Sequence, residues 1–177
     1  MKLYTIVESF SPEDGEKWDS YCKWRGKNFE RFDSIDGMLR PPLFEKPEEN
    51  DWEHIVNEDF MLHLITNRAH ADKKKKEIEK GILLELRLDD HSQDDERFLG
   101  FDIIDGYFDI SLLTNFGNDI EYVNEAIERN GLVSDFQTAK GIYTKLKEEF
   151  GDDAHVEDCR IISIYKMKDE PAGVSNG

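Results

Sequence analysis

The chain has 177 residues, 38% hydrophobic and 11% aromatic, with 40 acidic against 23 basic residues and a net charge of −17. That length and apolar share support one core without staples, and they exclude a disordered chain. The charge argues against nucleic acid or anionic lipid as a partner, because phosphate contacts need lysine and arginine.

The acid is unevenly placed. Ile82–Asp158 holds 20 acidic and 6 basic residues, a net of −14, whereas the other 100 residues carry only −3. No apolar run approaches the ~20 residues of a membrane span. The opening "MKLYTIVESFSPEDG" does not read as a signal peptide, and two distant cysteines, Cys22 and Cys159, suit a reducing cytosol. We expect a cytoplasmic protein with one domain over residues 1–168 and a flexible tail over 169–177.

In chain order, residues 3–9 alternate as a strand. Ser11, Pro12 and Asp14 open a helix over 12–25, with Trp18, Tyr21 and Cys22 inside. Asn28–Asn50, with Gly37, Pro41, Pro42 and Pro47, reads as a covering loop. Trp52–Ile65 fits helix or strand; a strand over Phe60–Thr66 is favoured, followed by a helix to Lys80 that stops at Gly81. Within that helix, Lys73 with Glu77 and Lys75 with Glu79 make "DKKKKEIEK" a solvated face. Ile82–Leu88 is a strand with Leu84, Leu86 and Leu88 on one side and Glu85 and Arg87 on the other.

Strands over 98–104 and 107–113 flank Asp105-Gly106, a strong hairpin signal. Asn118 with Glu121 caps a helix to Asn130, and Ser134 with Gln137 caps another to Phe150. The second helix turns Phe136, Ala139, Tyr143, Leu146 and Phe150 inward. A last strand covers 160–167. This order predicts an α+β domain, a mostly antiparallel sheet with helices packed on one face.

The hairpin carries the candidate chemistry. A two-residue turn places Leu99, Phe101, Ile103, Phe108, Ile110 and Leu112 on a core face. Gly100, Asp102, Ile104, Tyr107, Asp109 and Ser111 take the other. Asp102 and Asp109 then stand opposite each other with Cβ atoms roughly 5 Å apart, a repulsive pair that needs neutralising. Arg87 or Arg160 from a neighbouring strand, a cation, or a basic partner would serve.

The cluster "DDHSQDDE" fails as a calcium loop. Counted from Asp90, position six is Asp95 where glycine is needed and position twelve is Phe101 where glutamate is needed. A polar connection between strands explains it better. The five histidines show no metal-ligand spacing, neither cysteine has a nucleophile context, and no nucleotide-binding or hydrolase motif is present, so no catalytic residue, metal or cofactor is expected.

The leading expectation is a non-catalytic module that offers carboxylates to a basic protein partner. Immunity proteins use the same charge logic when they mask the cationic site of a nuclease toxin. Its contact residues would be Asp102, Asp109, Asp105, Tyr107, Asp94, Asp95 and Glu96. The alternatives are an enzymatic or ligand-binding domain with a pocket near Trp24 and Trp52, and a housekeeping domain whose acidity only keeps it soluble.

Overall fold

Ile82–Arg87 places apolar side chains on both faces, and so does Arg160–Lys166, a pattern that suits central strands covered on each side. In a computed structural model, which describes residues 1–7, 34–35, 49–50, 53, 55–57, 61–78, 81–117 and 119–168, these two strands lie side by side near the middle of the sheet. The strands are β1 (Lys2–Val7), β2 (Ile55–Asn57), β3 (Met61–Ile65), β4 (Ile82–Arg87), β5 (Phe98–Ile104) and β6 (Arg160–Lys166). They order as β2-β3-β1-β4-β6-β5 with every pairing antiparallel. The described helices are α1 (Arg68–Glu77), α2 (Leu112–Phe116), α3 (Glu121–Asn124), α4 (Phe136–Phe150) and α5 (Ala154–Glu157). The chain is an α+β domain built on an antiparallel sheet.

Register fixes the two faces. Leu3, Val7, Leu84, Leu86, Ile162 and Ile164 share one face and form a buried cluster with Ile35 and Leu132. On the other, Tyr4, Ile6 and Leu83 pack with Ala71 of α1, and Phe101 and Ile103 pack with Ala139, Ile142 and Leu146 of α4. The described helices therefore pack on one face, as expected, yet both faces are buried.

Local chemistry accounts for the helix starts. The Asn67 side chain accepts a hydrogen bond from the His70 amide at 3.1 Å and caps α1. In α1, Glu77 pairs with Lys74 rather than Lys73. The cap of α4 is Asp135, not Ser134: its carboxylate accepts from the Thr138 amide at 2.9 Å. Ile142 joins the inner stripe between Ala139 and Leu146.

Three expectations fail. The helix over 119–130 shrinks to α3, whose N-cap residue Ile120 offers no side-chain hydrogen bond. Beyond it the chain must turn back, because Val133 pairs with Phe101 through hydrogen bonds of 2.7 and 2.9 Å along the outer edge of β5. That tertiary pairing overrides helix propensity. The strand over 107–113 is absent as well: residues 105–110 form a loop, Ser111 makes a single bridge to Ile104, and α2 follows. Thirdly, β5 slips in register between Phe98 and Gly100. Leu99 therefore packs with the cluster opposite Phe101 and Ile103, and Phe108 joins Leu99 there. The helix over 12–25, the tail over 169–177 and most of the proline loop lie outside the described residues.

Gly100 serves this slip. Its φ of 152° belongs to glycine, and a Cβ there would stand 2.7 Å from the Leu132 Cβ and 3.0 Å from the Val133 carbonyl oxygen. Gly100→Ala is expected to cost about 2–4 kcal/mol in chemical denaturation, by combining backbone strain with overpacking. A loss below about 0.5 kcal/mol would show that the slip is not held by this glycine.

Candidate functional site

Asp105 is fully buried and organises the loop after β5. Its amide donates to the Ile110 carbonyl at 3.0 Å, and its carbonyl accepts from the Phe108 amide at 3.2 Å. One carboxylate oxygen accepts from the Asp109 and Ile110 amides at 2.8 and 3.1 Å. The other meets the Nδ1 of His155 at 3.0 Å. One side chain thus does the work of a strand partner, an Asx-type capture that competes with the hairpin. The tight path forces Phe108 to a φ of 60°, which is costly for a bulky residue, and the Arg160 guanidinium lies over its ring at 5.1 Å.

At the loop tip Tyr107 points out. It is 56% exposed, and its ring meets that of His155 edge-on at 6.4 Å. Asp109 is half-buried beside it, and Asp158 lies against Gly106, where an added Cβ would come within 2.6 Å of the Asp158 Cβ. Burial, and then the Asp105 carboxylate, raise the Asp109 carboxyl above its usual value, while His155 opposes them.

Asp102 is not part of this surface. It faces Ile162 on β6, opposite no aspartate, and is fully buried. The Ser111 hydroxyl donates to its carboxylate at 2.6 Å, and the Ile103 and Ile35 amides donate at 2.8 and 3.3 Å. Ser34 adds a further hydrogen bond. Neither Arg87 nor Arg160 neutralises it, so the expected aspartate pair and its expected cationic partner are both replaced by neutral donors. Burial pushes its carboxyl up to about 6 against the pull of these bonds.

Arg87 serves the acidic connection instead. Its guanidinium stacks on the Tyr165 ring at 3.9 Å and reaches Glu85 at 2.5 Å, Asp90 at 2.9 Å and Asp95 at 3.3 Å. Burial works to raise the carboxyl of Glu85, but hydrogen bonds from Arg87 and Lys2 overcome it and hold the group below its usual range. Asp95 also binds Arg97, whose hydrogen bonds keep it ionised well below the usual carboxylate range. Residues 89–97 fold back over the helix-bearing face. The Tyr165 hydroxyl donates to the Ser92 carbonyl at 2.6 Å, Gln93 donates to the Ser134 carbonyl at 2.8 Å, and His91 stacks on Phe136 at 4.4 Å. Glu96 pairs with Lys168, and Asp94 stays exposed.

Of the seven expected contact residues, the structure therefore brings Tyr107 and Asp109 together at one surface and supports them with buried Asp105. Asp102 faces inward, while Asp94, Asp95 and Glu96 belong to the 89–97 connection. His155 and Asp158, which join the Tyr107 loop, were not singled out; they lie some fifty residues away, and no local spacing signals them. Trp24 and Trp52 lie outside the described residues.

Among the described residues no group of three or more histidine, cysteine or acidic side chains is placed to hold a metal ion, and no helix is long and apolar enough to cross a membrane. The Ser111 hydroxyl is committed to Asp102, and burial raises the Cys159 thiol above its usual value, which disfavours the thiolate. The chain matches no protein-family model, no curated protein and no solved structure.

Two substitutions test these assignments. Arg87→Leu strands the buried Glu85 with Lys2 alone, so urea unfolding is expected to show a loss of about 2–4 kcal/mol. A raised carboxyl such as that of Asp102 adds stability that is complete below the unfolded value of about 3.9 and lost as pH rises through about 6. The neutral Asp102→Asn lacks this dependence. The stability of Asp102→Asn relative to the native protein is expected to grow by roughly 1.4 kcal/mol per pH unit across that window, to about 3 kcal/mol in all. Parallel stability curves for the two proteins would contradict the burial of a titrating carboxyl.

Proposed function

We propose that the protein is a non-catalytic interaction module that docks a basic protein through the Tyr107 loop. The observation that carries this reading is Tyr107 itself. Among the described residues it and Met1 are the large hydrophobic side chains left exposed, and Tyr107 stands in the segment whose net charge is −14. Half-buried Asp109 lies in the same loop, exposed Asp158 lies against the neighbouring Gly106, and exposed Asp153 caps α5, the helix whose His155 ring meets Tyr107. A rigid aromatic anchor within a charged rim is the composition of an interaction hot spot. The rim sets the sign of the partner and speeds encounter, while the desolvated anchor slows release. Asp105 supports the reading by fixing the loop before any partner arrives, which lowers the ordering cost of binding. Within this class, inhibition of a basic toxin or nuclease by covering its cationic site is the role that such a surface best serves.

The test compares the native protein with Tyr107→Ala/Asp109→Asn as bait in lysate of the source organism, at low and high salt. The expected result is a basic protein retained by the native bait and lost from the variant. With that protein purified, its Kd for the variant should be at least about tenfold weaker, and raising the salt should weaken the native complex most. Equal retention by both baits, or capture that does not respond to salt, would overturn the proposal. The paired change should leave thermal stability within about 0.5 kcal/mol, since Tyr107 supports no core contact.

A further inference from the structure

Asp102 is a titratable group that the docking surface does not use, and its surroundings are unusual for a carboxylate inside a protein. It joins three parts of the chain: Ser34 and Ile35, its own strand β5, and Ser111 at the head of α2. Among the described residues every contact is a neutral donor. The titratable groups of the adjoining elements are engaged elsewhere. Asp105 holds the loop amides and His155, Asp109 lies beside Tyr107, and Arg160, two residues along β6 from Ile162, covers the Phe108 ring. Among the described residues, then, Asp102 has donors to accept from but no cation to fix its charge.

We propose that Asp102 is a proton-operated clamp: ionised, it holds the Ser34–Ile35 segment to the sheet, and protonated, it releases the Ile35 amide. An ionised carboxylate offers about four lone-pair positions and accepts all of these bonds at once. A proton converts one of those positions into a donor. The hydroxyls of Ser34 and Ser111 can rotate and accept that proton, but backbone N–H groups cannot reverse their role. The Ile103 amide, at 2.8 Å, belongs to the adjacent residue and keeps the first oxygen; the Ile35 amide, at 3.3 Å on the second, is the longer of the two amide contacts and is the one given up. Ile35 is fully buried in the cluster opposite the helices, so its release loosens the packing of that face at one defined point. Burial sets the carboxyl at about 6, so mild acid is enough to work the clamp.

The experiment follows the Asp102 carboxyl carbon by NMR from about pH 7.5 to about pH 4.5, together with hydrogen exchange at the Ile35 and Ile103 amides, corrected for intrinsic pH dependence. Asp102 is expected to titrate within that range. Protection at Ile35 should fall at least about tenfold as it does, the loss of a charge-assisted hydrogen bond, while Ile103 holds steady. Asp102→Asn should show low Ile35 protection at every pH. Global acid unfolding would expose the Ile35 and Ile103 amides together, so a loss at Ile35 with Ile103 steady reports local release. A carboxyl that does not titrate in the range, or one that titrates while Ile35 protection stays level with Ile103, overturns the clamp. The native protein supplies both readings, so the test stands even where the asparagine variant fails to fold.

Discussion

Burial of the central strands on both faces is the constraint from which the other features follow. Ile162 and Ile164 look into one apolar cluster, and Phe101 and Ile103 look into another across the sheet. A polar side chain in the middle of β4, β5 or β6 has no wet face to point toward. Each must therefore find its partners inside, because an unpaired buried charge or donor costs more than most packing contacts return. Glu85 is met by Arg87 and Lys2, Ser163 by the Asp90 carbonyl, and Asp102 by amides and hydroxyls.

Those obligations explain where the acidic segments go. The connection between β4 and β5 is not a free loop: Arg87 and Arg97 draw its carboxylates in, and the Tyr165 hydroxyl holds its backbone. The loop between β5 and α2 is drawn in by Asp105. What remains turned outward near that loop is an aromatic ring with a few carboxylates, a far smaller and more defined surface than the charge total suggests.

The sheet and the long helix were legible because their signals are periodic and local. Leu84 and Leu86 against Glu85 and Arg87 set the faces of β4, and the stripe through Ala139 and Leu146 set the buried side of α4. The end of β5 was illegible for a physical reason. Asp105-Gly106 has the sequence of a two-residue turn, but the Asp105 carboxylate can also bind the amides of residues 109 and 110, and a short local signal does not reveal which wins. Once the loop wins, Asp102 loses its expected cross-strand neighbour and Tyr107 becomes a tip. The misplacement of Asp102 has a second source. Alternation assigned it to solvent, whereas Leu132 and Ile35, brought in from distant parts of the chain, cover that face. The association of His155 with Asp105 likewise exists only in three dimensions.

The pairing of Phe101 with Val133 has an effect beyond shortening α3. Strand β5 is the last strand of the sheet, and its outward backbone groups are those of Leu99, Phe101 and Ile103. The Leu99 carbonyl accepts from the Asn130 side chain, Phe101 exchanges both of its bonds with Val133, and the Ile103 amide donates to the Asp102 carboxylate. A foreign strand finds no ladder to extend there, which blocks the commonest route by which sheets polymerise. Near the sequence isoelectric point of about 4.6, charge repulsion between molecules fades. At that end of the sheet, the protection that remains against fibril growth is geometric, and it does not depend on pH in the way that repulsion does.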